Sequence, residues 1–237
     1  MPGRILVLAR KEIRSWVYAP VLYCITVFFI LFVSIWFFYF RRFFSMNTAT
    51  LRPFFEAFPP AFIPVIPILT MKAWAEEKRS GSIELLVTLP FSEWELVLGK
   101  FISCFFLLFI MMILTLPVPL TLLLVGHFDV RIIITEYIGS LLLGSSAIAI
   151  GLFFSSVSKT QAASFLGSAS VLLVMNLVYK LDMPQGLAVF FNFISLPFHF
   201  ESFSRGILDS RDIAFFLLTA SGFLFLNTRV LIFGKYS

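Results

Sequence analysis

Charged residues are scarce in this sequence. Asp, Glu, Lys and Arg make up 13% of its 237 residues, which is about half the share that a soluble domain carries. Hydrophobic residues make up 59%, Phe alone occurs 32 times, and the mean hydropathy is +0.98. So few charges cannot cover a water-facing surface of this size, which excludes a soluble globular protein and a disordered one. The composition indicates an integral membrane protein.

Cysteine and histidine are also scarce, with two of each. Cys24 and Cys104 lie inside apolar runs, so we interpret them as packing residues rather than a disulfide or a metal pair. His127 and His199 are too few to complete a metal site or the triad of a serine-type membrane protease. The chain also lacks the Gly-x-x-x-x-Gly-Lys-Ser/Thr loop that holds nucleotide phosphates. The sequence therefore predicts no catalytic, metal-binding or cofactor-binding residue, and a membrane hydrolase is the least favoured function.

Six apolar stretches approach the roughly 20 residues that a helix needs to cross a bilayer. They are Val21–Phe40, Ala57–Met71, Phe101–Val125, Tyr137–Ser158, Thr160–Tyr179 and Ile213–Thr228. A seventh stretch, Met183–Phe200, contains two prolines and several polar residues. We predict a re-entrant or outer-surface helical segment there, within the extracytoplasmic residues 180–211, with a full span as the alternative. The predicted fold class is an all-α polytopic membrane protein with six transmembrane helices.

The first 19 residues have the pattern of an amphipathic helix. Its apolar face carries Ile5, Leu6, Ala9, Ile13 and Trp16, and its basic face carries Arg4, Arg10, Lys11 and Arg14. A basic amphipathic helix lies along a membrane surface. With this helix in the cytoplasm and six spans, 11 of the 18 basic residues fall on the cytoplasmic side and 7 outside. We therefore expect both termini in the cytoplasm, as the positive-inside rule requires.

A polar island, residues 72–100, separates the second span from the third, and nine of its 29 residues are charged. Ser82 is placed to cap a short helix that has Glu84 in its first turn and ends at Pro90. The apolar positions of this helix are Ile83, Leu85, Leu86 and Leu89. A capping box, Ser92–Glu95, then starts the third span. The pattern predicts a rigid cytoplasmic element, with an ordinary solvated loop as the alternative.

Three runs carry a resemblance to a known family: Glu76–Pro90, Trp94–Lys100 and His199–Asp212. They resemble ABC type-2 permeases, and more closely the gliding-motility-associated (GldF-like) branch, with relatives among the permeases of nitrous-oxide-reductase maturation. The resemblance covers nearly the whole chain. It implies a single permease domain over residues 1–237 with an exporter-like fold in a bacterial inner membrane. It also implies a dimer of two permeases, identical or different, and separate ABC ATPase subunits that bind ATP and Mg.

The resemblance also implies which residues contact the ATPase. In this family the segment between the second and third spans carries the coupling helix. Carried over to this chain, the coupling residues are Ser82, Ile83, Glu84, Leu85, Leu86 and Leu89. Supporting contacts are expected from Glu76, Glu77, Lys78 and Arg79, and from Arg10, Lys11 and Arg14 of the N-terminal helix.

Small residues at spacings of four follow two predicted spans. They are Ser140, Gly144, Ala147 and Gly151 in the fourth span, and Ala163 and Gly167 in the fifth. Such stripes predict close helix packing, and a cargo pathway is the less favoured interpretation. Glu136 lies at the start of the fourth span, where we expect its carboxyl at the level of the lipid headgroups.

The favoured function is therefore a permease subunit that couples ATP hydrolysis on a partner to the export or extraction of an unidentified cargo. The alternative is an ATPase-powered anchor that transmits force to a large extracytoplasmic partner without moving cargo. The predicted outer loops, residues 41–56 and 180–211, are long enough to hold such a partner. No basic stripe with interleaved aromatic residues indicates nucleic acid.

Overall fold

The computed structural model describes residues 2–41, 50–81, 91–126, 128–178 and 193–235. Every regular element within these ranges is a helix. The helices are α1 (Pro2–Val17), α2 (Pro20–Ile35), α3 (Arg52–Phe55), α4 (Phe58–Thr70), α5 (Lys72–Arg79), α6 (Glu93–Ile113), α7 (Pro117–Val125), α8 (Val130–Val157), α9 (Gln161–Leu177), α10 (Leu196–Ser204) and α11 (Ser210–Lys235). A π-helical turn, Trp36–Phe40, extends α2.

Five helical segments are long and apolar enough to cross a membrane. They are Pro20–Phe40, Arg52–Arg79, Glu93–Val125, Val130–Val157 and Ser210–Phe233. Helix α9, which corresponds to the predicted fifth span, has only 17 residues. The prediction of an all-helical, multi-pass fold is confirmed, and the count of six spans stays a prediction. The segment predicted over Met183–Phe200 lies mostly outside the described residues, and its last residues belong to α10.

Two helix starts agree with the sequence. Proline has no backbone N–H and favours the first helical turn, and α2 begins at Pro20. The predicted capping box is present at α6. The Glu95 N–H donates to Ser92 Oγ at 3.3 Å, and the Ser92 N–H donates to Glu95 Oε2 at 3.0 Å. The start of α6, within the polar island, is therefore set by its own sequence.

Helix α8 lies at the centre of the bundle and packs against α4, α5, α6, α9, α10 and α11. Glycine makes two of these contacts close. A β-carbon on Gly144 would lie 2.3 Å from the Leu108 side chain of α6, and one on Gly151 would lie 2.3 Å from Thr70 Oγ1 of α4. A larger residue at Gly144 would have to displace the end of the Leu108 side chain, and one at Gly151 would clash with Thr70 close to its β-carbon. Glycine therefore allows the helices to approach closely.

The other small residues singled out in the sequence differ in their surroundings. Ser140 and Ala147 are buried on α8. Gly167 of α9 lies against Phe154 of α8, whose ring would be 2.7 Å from an added β-carbon. Ala163 is exposed. The contact of α9 with α8 therefore involves Gly167 and not the whole predicted stripe.

The bundle has two ends, which we call the α1 end and the α10 end after the short helices found there. Helix α9 runs between them. At the α1 end, the Gln161 side chain at its start donates a hydrogen bond to Glu76 of α5. At the α10 end, Ser195 donates to the Met175 carbonyl near its finish, at 3.1 Å. Helix α9 thus connects the two ends of the bundle, although it is shorter than its neighbours.

Helix α11 runs in the opposite direction. It begins at the α10 end, where Asp212 Oδ1 lies 2.6 Å from His199 Nδ1 of α10. Farther along, the Phe225 ring packs against Trp94 at the start of α6, with ring centroids 6.0 Å apart. Its C-terminal half therefore lies at the α1 end, the same end as the N-terminal helix.

Candidate coupling site

The predicted coupling residues Ser82, Ile83, Glu84, Leu85, Leu86 and Leu89 lie outside the described residues. Their role stays a prediction. The structure does describe the two helices that hold this segment, because α5 ends at Arg79 and α6 begins at Glu93. We call residues 82–90 the coupling segment, and its base is the place where α1, α5 and α6 meet.

A buried lysine joins these three helices. Lys100 of α6 is 2% exposed, and its Nζ lies 2.7 Å from Glu77 Oε1 of α5 and 3.3 Å from Glu12 Oε1 of α1. The same ammonium lies 4.7 Å from the centre of the Trp74 ring, which is the geometry of a cation–π contact. Because a buried charge without partners is costly, Lys100 holds the two carboxylates and the ring in one arrangement.

The buried face of α1 explains how Glu12 reaches this site. Leu8, Ala9 and Trp16 are buried. Glu12 lies on the same face of the helix, about one turn after Leu8 and one turn before Trp16. Leu6, predicted to share this face, is 62% exposed. Helix α1 thus packs on α6 through a stripe that contains one acidic residue.

A second contact joins α1 to α5. The Lys72 ammonium lies 5.6 Å from the centre of the Trp16 ring. A polar cavity of about 340 Å³ lies between the two helices and α6, and the side chains of Lys11, Glu76 and Lys100 are among those that line it. The cavity places charges of both signs beside the base of the coupling segment.

The break between α4 and α5 is held by a serine of α8. The backbone N–H groups of Trp74 and Ala75 donate to Ser155 Oγ at 3.0 and 3.3 Å, and that hydroxyl donates to the Met71 carbonyl at 3.2 Å. Ser155 is buried. One side chain therefore satisfies the backbone groups that a helix break would leave unpaired in an apolar interior.

Two further bonds tie α5 to the turn between α8 and α9. The Lys78 ammonium donates to the Ser156 carbonyl, and Gln161 donates to the carboxylate of Glu76. Helix α5 is therefore fixed to α1, α6, α8 and α9 together. A movement of the coupling segment that displaced α5 would act on all four helices.

The remaining supporting residues face outward at the same end. Arg10, Lys11 and Arg14 of α1 are exposed, and so is Arg79 at the end of α5. Of the predicted supporting set, the structure brings the half-buried Glu77 and Lys78 into the packed base, whereas Glu76, which accepts from Gln161, is exposed like these four cations.

Sequence reasoning missed the partners that complete the site. Glu12, Lys100 and Ser155 received no role. One signal was available for Glu12, because it is the only acidic residue of α1 and falls on the face that carries Ile5, Ala9 and Trp16. No comparable signal marked Ser155, one of several serines in α8.

The model of the family described as ABC-2 family transporter protein matches residues 6–197. The match therefore includes the coupling segment and all three helices at its base. A search of curated proteins returned no match. The family implies a multi-pass membrane protein and an ABC ATPase partner. This chain belongs to the ABC-2 transporter family and is a membrane-spanning permease subunit of an ABC transporter.

Proposed function

We propose that this permease receives force from its ATPase through the coupling segment, residues 82–90, and passes it into the bundle to export or extract a cargo. The chain fits the gliding-motility-associated (GldF-like) branch through the runs named above. Two permeases, identical or different, form the membrane unit in this proposal. ATP and Mg are bound on the partner ATPase.

The base formed by α1, α5 and α6 is the observation that carries this proposal. The coupling segment leaves α5 and returns at α6, and Lys100 connects those two helices at 2.7 Å through Glu77. A segment held at both ends by one buried ion pair transmits displacement, whereas a segment on independent helices would absorb it. Glu12 adds α1 to the same unit.

Six spans with both termini in the cytoplasm of a bacterial inner membrane complete the proposal. Helix α9 supports the count of six because it reaches from Glu76 at the α1 end to Ser195 at the α10 end. The contact of Phe225 with Trp94 supports termini on one side. The exposed arginines of α1 suit the cytoplasmic face.

The test places charges on the predicted contact surface. Leu85→Asp with Leu86→Asp should abolish co-purification of the ABC ATPase that accompanies the unaltered chain from its native cells. Ser80→Asp is the matched control. Ser80 is exposed, and it lies just before Gly81 and outside the coupling segment. It should retain the ATPase. Undiminished ATPase recovery and ATP turnover in the double variant would refute the coupling assignment.

The anchor without transport is the second candidate. One observation favours it: Phe193, Phe198, Ile207 and Leu208 are large apolar side chains exposed together near the α10 end. Such a surface suits either lipid or a partner protein. Transport would be supported by movement of labelled lipid or polysaccharide across the membrane of proteoliposomes that contain the permease and its ATPase. Capture of an extracytoplasmic protein without movement of either labelled cargo would support the anchor.

A further inference from the structure

A buried histidine joins three parts of the chain at the α10 end. His199 of α10 is 7% exposed, and its Nδ1 lies 2.6 Å from Oδ1 of Asp212, which is 8% exposed at the start of α11. Its Nε2 lies 3.1 Å from the backbone carbonyl oxygen of Phe193, which precedes α10. Both ring nitrogens therefore face oxygen atoms at hydrogen-bonding distance.

The number of protons in this cluster follows from its acceptors. A neutral imidazole has one N–H that donates and one nitrogen that accepts, whereas an imidazolium donates from both nitrogens. A backbone carbonyl oxygen can only accept, so the contact with Phe193 requires a proton on Nε2. The other contact then requires a second proton between Nδ1 and Asp212. The cluster thus holds one proton more than a neutral histidine beside an aspartate ion.

The start of α11 favours the ionised form of Asp212. This residue lies in the first turn of the helix, where the free backbone N–H groups and the helix dipole stabilise a negative charge. The additional proton therefore lies on the imidazole, and the pair consists of an imidazolium and a carboxylate. Charge-assisted hydrogen bonds of this kind are short, as the contact of 2.6 Å is.

Aromatic rings pack against the imidazole. The Phe215 ring stacks on it, with ring centroids 3.8 Å apart and planes inclined by 19°. The Phe198 ring meets it edge-on, with centroids 5.5 Å apart. Because the face of an aromatic ring attracts a cation, Phe215 also favours the imidazolium.

The elements around α10 contribute other charges to this end. Helix α10 packs against α8, α9 and α11, and α9 has no charged residue. The other charged residues at this end of these helices, and in the chain between α10 and α11, are Arg131, Glu136, Glu201, Arg205, Asp209 and Arg211. Glu201 pairs with Arg205, and Asp209 accepts the N–H of Arg211. Among the described residues, Asp212 is the acid that bonds the ring.

We propose that His199 and Asp212 form a proton-binding site that holds the Phe193 carbonyl and α11 to α10. When the site loses its proton, one ring nitrogen becomes an acceptor, and only one of the two hydrogen bonds can remain. The site therefore stabilises the packing at low pH, and this stabilisation is lost as the pH rises. In the proposed topology the α10 end faces the extracytoplasmic space, so the pH there sets the occupancy of the site. The site itself does not rest on the coupling role of residues 82–90.

The protonation state of the ring tests the proposal. The chain has two histidines, so His127→Asn leaves His199 as the single one. Solid-state NMR of this variant, labelled with ¹⁵N-histidine and reconstituted in bilayers, reports whether one or both ring nitrogens carry a proton. At pH 7, where an unperturbed histidine is mostly neutral, we expect both nitrogens to be protonated. A neutral ring at pH 7 overturns the proposal, whichever side of the membrane the site faces.

Replacing the paired acid tests the partner. In the same single-histidine background, Asp212→Asn should leave the ring neutral at pH 7, because the amide has no charge to stabilise an imidazolium. Asp209→Asn is the matched control, since Asp209 lies three residues earlier and accepts the N–H of Arg211. It should leave both ring nitrogens protonated. An imidazolium that persists in Asp212→Asn overturns the assignment of Asp212.

Thermal unfolding of the purified full chain measures the consequence for packing. From pH 6 to pH 9 we expect the melting temperature to fall by about 2–4 °C more in the unaltered chain than in His199→Asn, which corresponds to one hydrogen bond in a chain of this size. His127→Asn is the control and should follow the unaltered chain. The same pH dependence in His199→Asn and the unaltered chain would overturn the role of the proton in holding α10.

Discussion

Lys100 shows how one residue can organise the base formed by α1, α5 and α6. Its ammonium is 2% exposed, whereas the carboxylates of Glu12 and Glu77 retain 19% and 16% of their exposure. The charges thus lie at the margin of the packed interior, with the lysine deepest. The carboxylates keep contact with the polar cavity, so part of their solvation survives while Lys100 depends on them.

Replacing Lys100 tests this dependence. Lys100→Met keeps the length of the side chain but leaves two carboxylates facing each other, and we expect a loss of about 3 kcal/mol of stability. Fluorescence-detected thermal unfolding should report a lower melting temperature. Adding Glu77→Gln should restore part of the loss because it removes one uncompensated charge.

Arg10→Met is the control for this experiment. Arg10 is an exposed cation of α1, so its loss should leave the melting temperature within a degree or two. Equal melting temperatures for Lys100→Met and Arg10→Met would contradict the role of the buried ion pair.

Individual helices depend on groups supplied by their neighbours. A single residue, Met71, separates α4 from α5, and the Ser155 hydroxyl on α8 accepts hydrogen bonds from the N–H groups of Trp74 and Ala75. Prolines at 64 and 67 lie inside α4 and remove backbone donors there. The second span is therefore a sequence of short helical pieces stabilised from outside.

Ser155→Ala measures that support. The change leaves two buried backbone donors without their acceptor, and we expect a loss of about 1–3 kcal/mol of stability. Ser221→Ala on α11 is matched, since Ser221 is exposed and bonds only within its own helix. The melting temperatures of both variants measure the difference in stability. A Ser155→Ala protein as stable as Ser221→Ala would show that the Ser155 hydroxyl does not support the helix break.

The close contact between α4 and α8 depends on the absence of a side chain at Gly151. Gly151→Ala would place a β-carbon 2.3 Å from Thr70 Oγ1, whereas Gly222→Ala on α11 meets nothing within 4 Å. We expect Gly151→Ala to lower the melting temperature and Gly222→Ala to leave it unchanged or raise it, because alanine favours helix by about 1 kcal/mol. Thr70→Ala should partly rescue Gly151→Ala. Equal effects of the two glycine changes would contradict the close approach.

For the whole molecule, the order of helices between the two ends fixes the topology. Helices α8 and α11 begin at the α10 end, and α9 begins at the α1 end. Such an alternation places the base formed by α1, α5 and α6 and a polar cavity lined by Arg41, Arg52 and Glu201 at opposite ends of one bundle. Helix α8 runs between these ends, since Ser155 lies near one and Gly139, against Phe203 of α10, lies near the other.

Cysteine labelling in intact cells tests this topology. In a background with Cys24→Ser and Cys104→Ala, Arg131→Cys should react with an impermeant maleimide, while Ser80→Cys and Arg10→Cys should react only after the cells are opened. All three positions are exposed. A reporter fused to the C-terminus should behave as cytoplasmic. Labelling of Ser80→Cys from outside would overturn the orientation and the coupling proposal together.

The sequence alone determined the class of this protein and some of its boundaries. The small number of charged residues predicted a membrane protein. Pro20 and the Ser92–Glu95 capping box predicted where two helices begin. The resemblance of three sequence runs predicted the ABC-2 permease family. These features are local, because caps, prolines and apolar runs act on the residues next to them. They can therefore be recognised without knowing which helices meet.

Only the tertiary structure decided which side chains share a site. Glu12 and Lys100 are 88 residues apart in the chain and form one ion pair. The carboxyl of Glu136, expected at the level of the lipid headgroups, is enclosed by protein because α8 lies at the centre of the bundle, a position that its own composition does not encode. Such pairings depend on which helix faces oppose each other, and that follows from the packing of all the helices at once.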